Sequence, residues 1–253
     1  MPKYDAAFWR RVIARSKPGP LLGRLSRIVE NQQQKVTLSL VDSLEEHDVL
    51  EQLLEASKPG GDIFAGLARF DYLLRTPWRY PPLPWGSRFG RQFEPSLFYG
   101  ALSTRALFAE AAYYRLVFLE GMAKPFEERV ISQFTVFDAR YRGEHGLNLA
   151  AAPFARHAKA LRHPADYSAS QELGTVLREA DVDSITYLSA REPGDEMNVA
   201  LFRPTALQSR KHLNPRHGIA ETRYDGVTFR FGDTLHRCER AQFLVDGQLP
   251  VPA

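Results

Sequence analysis

The 253-residue chain is 44% hydrophobic and 25% charged, the make-up of a folded globular protein and not of a disordered or fibrous one. Its 33 basic and 30 acidic residues leave a formal charge of +3 and a pI near 9.0, too slight an excess for a broad nucleic-acid-binding surface. A single cysteine, Cys238, excludes an internal disulfide framework and a cysteine-based zinc site, which makes the reducing cytoplasm the expected location. No stretch approaches the roughly 18 uninterrupted apolar residues of a membrane span, and the N-terminus lacks the apolar core of a secretory signal.

In chain order, Asp5 is placed to cap a helix running to about Ser16, with Phe8, Val12 and Ile13 on one stripe. A second helical pattern runs from Leu21 to about Gln33. Ser43-Leu44-Glu45-Glu46 has the spacing of a capping box, and the helix it opens carries Val49, Leu50, Leu53 and Leu54 on one face. Ser57-Lys58-Pro59-Gly60-Gly61 is a strong stop and marks the predicted boundary between a helical N-terminal extension, residues 1–60, and a main domain, residues 61–253. Ile63 to Leu74 reads equally as helix or strand.

The segment from Arg75 to Gly90 interleaves Arg75, Arg79 and Arg88 with Trp78, Tyr80, Trp85 and Phe89, and its four prolines are expected to forbid regular structure. Such a loop suits a protein contact, and it equally suits an anionic ring-bearing ligand, because a guanidinium matches a pyrophosphate and an aromatic ring stacks on a base. Gly86 and Gly90 flank Ser87-Arg88-Phe89 and let backbone approach a ligand closely.

Leu97 to Ala101 is a predicted short strand, and Ser103 caps a predicted helix from Thr104 to about Glu120. On that helix Ala106, Glu110, Tyr113, Tyr114 and Val117 share a stripe, so Glu110 projects from an otherwise apolar face. A buried carboxylate needs a partner, and Arg105 and Arg115 lie well round the helix from it. The partner must come from another segment or from a ligand, and a structural salt bridge and a functional carboxylate both satisfy the pattern. Val130 to Tyr141, Ile185 to Leu188, Val199 to Phe202, Val227 to Phe231 and Gln242 to Val245 are predicted strands, and Ser168 to Ala180 a helix. This irregular order favours an α+β fold over a doubly wound sheet.

Several common sites are missing from the sequence. His47, His145, His157, His163, His212, His217 and His236 show no HExxH or other metal spacing, so no metal is expected. Neither a GxGxxG after a strand, nor a GxxxxGK[ST], nor a GxSxG elbow occurs.

The order Arg79-Tyr80, Gly86-Ser87-Arg88-Phe89, Tyr99-Gly100, Ala106 with Glu110, and Ser189 followed by Asn198 resembles the RES domain, named for its Arg, Glu and Ser. The resemblance covers roughly residues 63 to 207, and the preceding segment is similar to the extension of longer RES proteins. It implies a fold related to ADP-ribosyltransferases and a toxin of a toxin-antitoxin pair that breaks the nicotinamide–ribose bond of NAD. NAD is then a substrate and no cofactor is required, with inorganic phosphate, water or a protein side chain as acceptor. By that resemblance Glu110, Arg88 and Ser189 are the catalytic residues. Arg79, Tyr80 and Tyr99 bind substrate, and Arg69 and Arg75 are the other candidates for the earlier arginine. Arg88 stands in Gly86-Ser87-Arg88 where the family has Gly-Gly-Arg. The implied partner is an Xre-like antitoxin, with no membrane and no direct nucleic acid. ADP-ribosyl transfer to a protein and a RES-like binding module without turnover are the alternatives.

Overall fold

The computed structural model describes residues 4–30, 66–79, 82–122 and 129–252. Eight strands form its frame: β1 (Gly19–Glu30), β2 (Phe98–Ala101), β3 (Val130–Asn148), β4 (Ser184–Leu188), β5 (Met197–Leu201), β6 (Leu213–Arg223), β7 (Gly226–Phe231) and β8 (Thr234–Glu239). They hydrogen-bond in the order β1-β2-β5-β4-β3-β6-β7-β8, and β1 also pairs with β3. That extra pairing closes β1, β2, β5, β4 and β3 into a ring, and β6 to β8 continue from β3 as an antiparallel meander. All contacts are antiparallel except β3 with β4. The predicted α+β class holds.

Helix α1 (Ala6–Ile13) begins where the sequence places it, with the Phe8 amide donating to Asp5 Oδ1 at 2.9 Å. The helix predicted from Leu21 to Gln33 is instead strand β1 over its described part, paired without a break from Leu21 to Glu30 against β3. Leu21, Leu22, Leu25, Ile28 and Val29 recur at helical spacing, which is why the pattern misleads. Gly19, Pro20 and Gly23 weaken a helix, Ile28 and Val29 favour a strand, and the long ladder to β3 satisfies the backbone. Residues 19–30 are therefore part of the central sheet and not of a helical extension in front of it. The capping box at Ser43 and the boundary at Lys58 to Gly61 lie outside the described residues.

The proline-rich segment is more regular than predicted, since its first part belongs to helix α2 (Tyr72–Arg79). Leu74 and Trp78, one turn apart, are fully buried against Phe98 and Leu201, and this burial outweighs the backbone bond that Pro77 cannot make. Helix α3 (Thr104–Glu120) is capped by Ser103, whose Oγ accepts from the Ala106 amide at 3.2 Å. It packs over the meander through Phe108, Ala112 and Leu116, against Phe134, Val136 and Phe229. The short helix α4 (Ala158–Leu161) and helix α5 (Ser168–Glu179) cover β4 and β5 together with α1.

At the C-terminal end, the strand predicted from Gln242 to Val245 is a single 3-10 turn over Arg240–Phe243. Phe243 is buried edge-on against Tyr113, which draws the chain in under α3 instead of along the sheet. No helix among the described residues is long and apolar enough to cross a membrane.

Candidate active site

Strand register puts the site together. Asn198 on β5 lies opposite Ala101 on β2 and Tyr187 on β4, so the three share one face of the sheet. Only Leu102 and Ser103 separate Ala101 from α3, which therefore folds back over this face and brings Glu110 above Asn198. Glu110 Oε1 accepts from Ser189 Oγ at 2.7 Å and from Asn198 Nδ2 at 2.9 Å. The carboxylate lies at the margin of the buried face of α3 and not in its middle as the stripe suggests; Tyr114, one turn on, is 39% exposed. Glu110's partners come from other segments, as the sequence demanded, and they are neutral donors. Arg105 bonds Glu192, and Arg115 bonds Thr222 and Glu30.

Ser189 follows β4 and is completely buried. Its Oγ accepts from the backbone amides of Arg191 at 3.2 Å and Glu192 at 3.3 Å. With both lone-pair directions occupied, its one proton is left for Glu110. The serine proton is thus committed to the glutamate.

Arg88 forms the other side of the site. Gly86, at φ +72°, opens the turn that carries it, and a Cβ at Gly86 would stand 2.3 Å from the Gly90 carbonyl oxygen. The turn is held from β2 by the Tyr99 hydroxyl, 2.9 Å from Ser87 Oγ and 3.1 Å from the Phe89 amide that donates to it. Gln171 of α5 holds it from the other side through the carbonyls of Trp85 and Ser87. The Arg88 guanidinium is buried, donates to the carbonyls of Leu161 at 3.1 Å and His163 at 3.0 Å, and lies 4.4 Å from the centre of the Tyr167 ring. Burial opposes its charge, whereas Tyr167 and Glu110 favour it, and the balance raises its pKa above the ordinary value.

A second buried guanidinium completes the surroundings. Arg191 donates to Tyr167 Oη at 2.9 Å and lies 3.3 Å from the centre of the Tyr113 ring. Burial raises the Tyr113 phenol to about 12. Burial, and then the Glu110 charge, push the Tyr187 phenol well above its usual range.

The structure thus brings Glu110, Arg88 and Ser189 into one neighbourhood. Tyr99 reaches it by its hydroxyl, in support of the Arg88 turn. Arg79 is the last residue of α2, and Tyr80 lies outside the described residues. Asn198 carried no assigned role in the sequence, although its place after Ser189 pointed to it; Tyr167, Arg162 and Arg191 had no distinguishing spacing at all. Among the described residues, no group of three or more His, Cys, Asp and Glu side chains could hold a metal ion.

The fold and site define an α+β domain whose centre is a carboxylate held by neutral donors beside buried arginines. The sequence matches the family model of the RES domain over residues 63–237, and the chain belongs to that family. It is also similar to a chain of the crystal structure of the M. tuberculosis MbcT-MbcA toxin-antitoxin complex, with 17% identity and a TM-score of 0.46 over 84% of this chain and 92% of that one. No curated protein matches it.

Proposed function

We propose that this protein degrades NAD by breaking the nicotinamide–ribose bond, as the toxin of a toxin-antitoxin pair. Membership of the RES family supports the reading, and the observation that carries it is the state of Glu110. One carboxylate oxygen is fixed by Ser189 and Asn198, and the other, which accepts no hydrogen bond from the described residues, is available to a reacting centre. When the C1′–N bond breaks, its electron pair leaves with the pyridinium nitrogen and neutralises it, and positive charge develops on the ribose. A carboxylate fixed in advance stabilises that charge without reorganising, and its effect grows as substrate excludes water. A water oxygen then bonds to C1′ and passes its proton to the Glu110 carboxylate and on to solvent, whereas a phosphate dianion bonds through an unprotonated oxygen and releases no proton. Arg88 supplies a permanent positive charge within the same site for the anionic part of the substrate.

The test is release of nicotinamide from NAD by the purified protein, with and without inorganic phosphate. Release that requires phosphate identifies a phosphorylase, and release in its absence a glycohydrolase. NAD left intact under both conditions overturns the reading. A label from NAD transferred to a macromolecule supports ADP-ribosyl transfer instead. The same proposal includes an Xre-like antitoxin as partner, tested by co-purification with the product of an adjacent small open reading frame and by relief of growth arrest.

A further inference from the structure

The segment between α4 and α5 ties the two halves of the site together. The carbonyls on either side of Arg162, those of Leu161 and His163, accept the Arg88 guanidinium. The Arg162 side chain points the other way, to the loop after Ser189. Its Nε donates to the Ser189 carbonyl at 2.9 Å, and its Nη2 donates to the carbonyls of Glu192 at 3.2 Å and Gly194 at 2.9 Å. Three carbonyls gathered on one planar fork fix the curvature of residues 189–194, and that curvature turns the amides of Arg191 and Glu192 onto Ser189 Oγ. Glu192 adds a brace of its own, bonded to Arg105 of α3 and to the Gly194 amide at 2.6 Å. The remaining ion pair of Arg162, with Asp195 at 3.7 Å, reaches a side chain that is 91% exposed and contributes little.

We infer that Arg162 is a positioning residue of this site: its fork shapes the 189–194 loop so that the Ser189 proton is directed at Glu110, while its neighbouring carbonyls set Arg88 at a fixed place relative to that pair. Arg162 touches neither Glu110 nor the reacting atoms. It acts through Ser189, and the effect depends on fork geometry more than on charge. A lysine in its place keeps the charge and loses the fork. The functional part of the inference rests on the proposed NAD reaction; the shaping of the loop does not.

The experiment compares R162K, R162Q and R162A with the wild type by nicotinamide release, thermal melting and hydrogen exchange at the Arg191 and Glu192 amides. All three variants are expected to lower kcat by about 100-fold while KM stays within about threefold, because a displaced carboxylate costs rate and not ground-state binding. R162K is expected to fare no better than R162Q, and millimolar guanidinium ion to restore part of the rate of R162A. Exchange at the two amides is expected to quicken in every variant. Unchanged kcat, full rescue by lysine, or exchange equal to wild type overturns the inference. So does a variant that fails to fold and is not restored by guanidinium, since the arginine would then serve the fold and not the site. Should the wild type release no nicotinamide, the NAD reading falls, and amide exchange in R162K alone decides the inference.

Discussion

Ser189 donates to Glu110 across 79 residues of sequence, at 2.7 Å, from a position with no solvent exposure. The carboxylate therefore has a fixed orientation set by the protein alone, and this pre-organisation underlies the first two predictions.

Glu110→Gln keeps shape and volume and removes the charge. Nicotinamide release is expected to fall by about 10²- to 10³-fold, the usual loss when an electrostatic stabiliser of a charged transition state is removed. The melting temperature should stay close to wild type. Activity within a fewfold of wild type would remove Glu110 from the centre of the mechanism.

Ser189→Ala deletes the proton given to Glu110 and also the acceptor of two buried amides. The expected loss is about 1–3 kcal/mol of stability, the penalty for leaving buried donors unsatisfied. Asn198→Ala removes a donor to the same carboxylate oxygen without stranding those amides. It should lower kcat with a smaller change in melting temperature, and denaturant unfolding alongside kinetics separates the two effects.

Gly174 lies where α5 meets the turn that carries Arg88, and a Cβ there would stand 2.1 Å from the Phe89 carbonyl oxygen. Gly174→Ala is expected to push the turn away from the helix at a cost of about 1–3 kcal/mol, the range for overpacking. Nicotinamide release should fall with it, because Arg88 moves with its turn. A variant with wild-type melting and rate would show that the contact yields easily.

His157 sits among the rings of Tyr4, Phe8 and Trp9, at centroid distances of 5.7, 5.1 and 5.5 Å. Burial, and then the neighbouring Arg156, lower its pKa below 6.5. The unfolded chain therefore takes up the proton first as pH falls, so this contribution is complete above about pH 6.5 and declines below it. His157→Gln should flatten the slope of melting temperature between about pH 5 and 7 relative to wild type. An unchanged slope would place the titration elsewhere.

Cys238 is buried on the inner face of β8, and burial raises its thiol to about 11. A thiol-specific reagent at neutral pH should leave the native protein unmodified and react with one thiol per chain after unfolding. Rapid labelling of the native protein would contradict the packing of β8.

The elements that the sequence placed correctly carry their own local signals. Asp5 and Ser103 are caps whose side chains bond the amides that a cap should bond, and α3 and α5 follow from periodicity. The failures share a cause. β1 has helical spacing but a strand partner more than a hundred residues away, and α2 contains a proline that burial of Trp78 overrides. β6 and β8 are rich in polar residues because their outer face meets solvent, so they lacked an apolar run to find. The turns around them, Asp225-Gly226 and Gly232-Asp233, were the available signal.

From its residues alone the chain singled out the candidate site groups: a glutamate on an apolar helix stripe, an arginine between glycines, a serine at a strand end, and the family order that joins them. Tertiary structure decided how they are held. Asn198 comes under Glu110 through the register of β5 with β2, Ser189 is turned inward by two backbone amides, and Arg162 reaches the loop from a different layer of the fold. Helical and strand periodicity report which face a side chain occupies, but hydrogen bonds between distant segments depend on register and on ångström-scale placement, which exist only after the sheet has closed and the helices have packed on it.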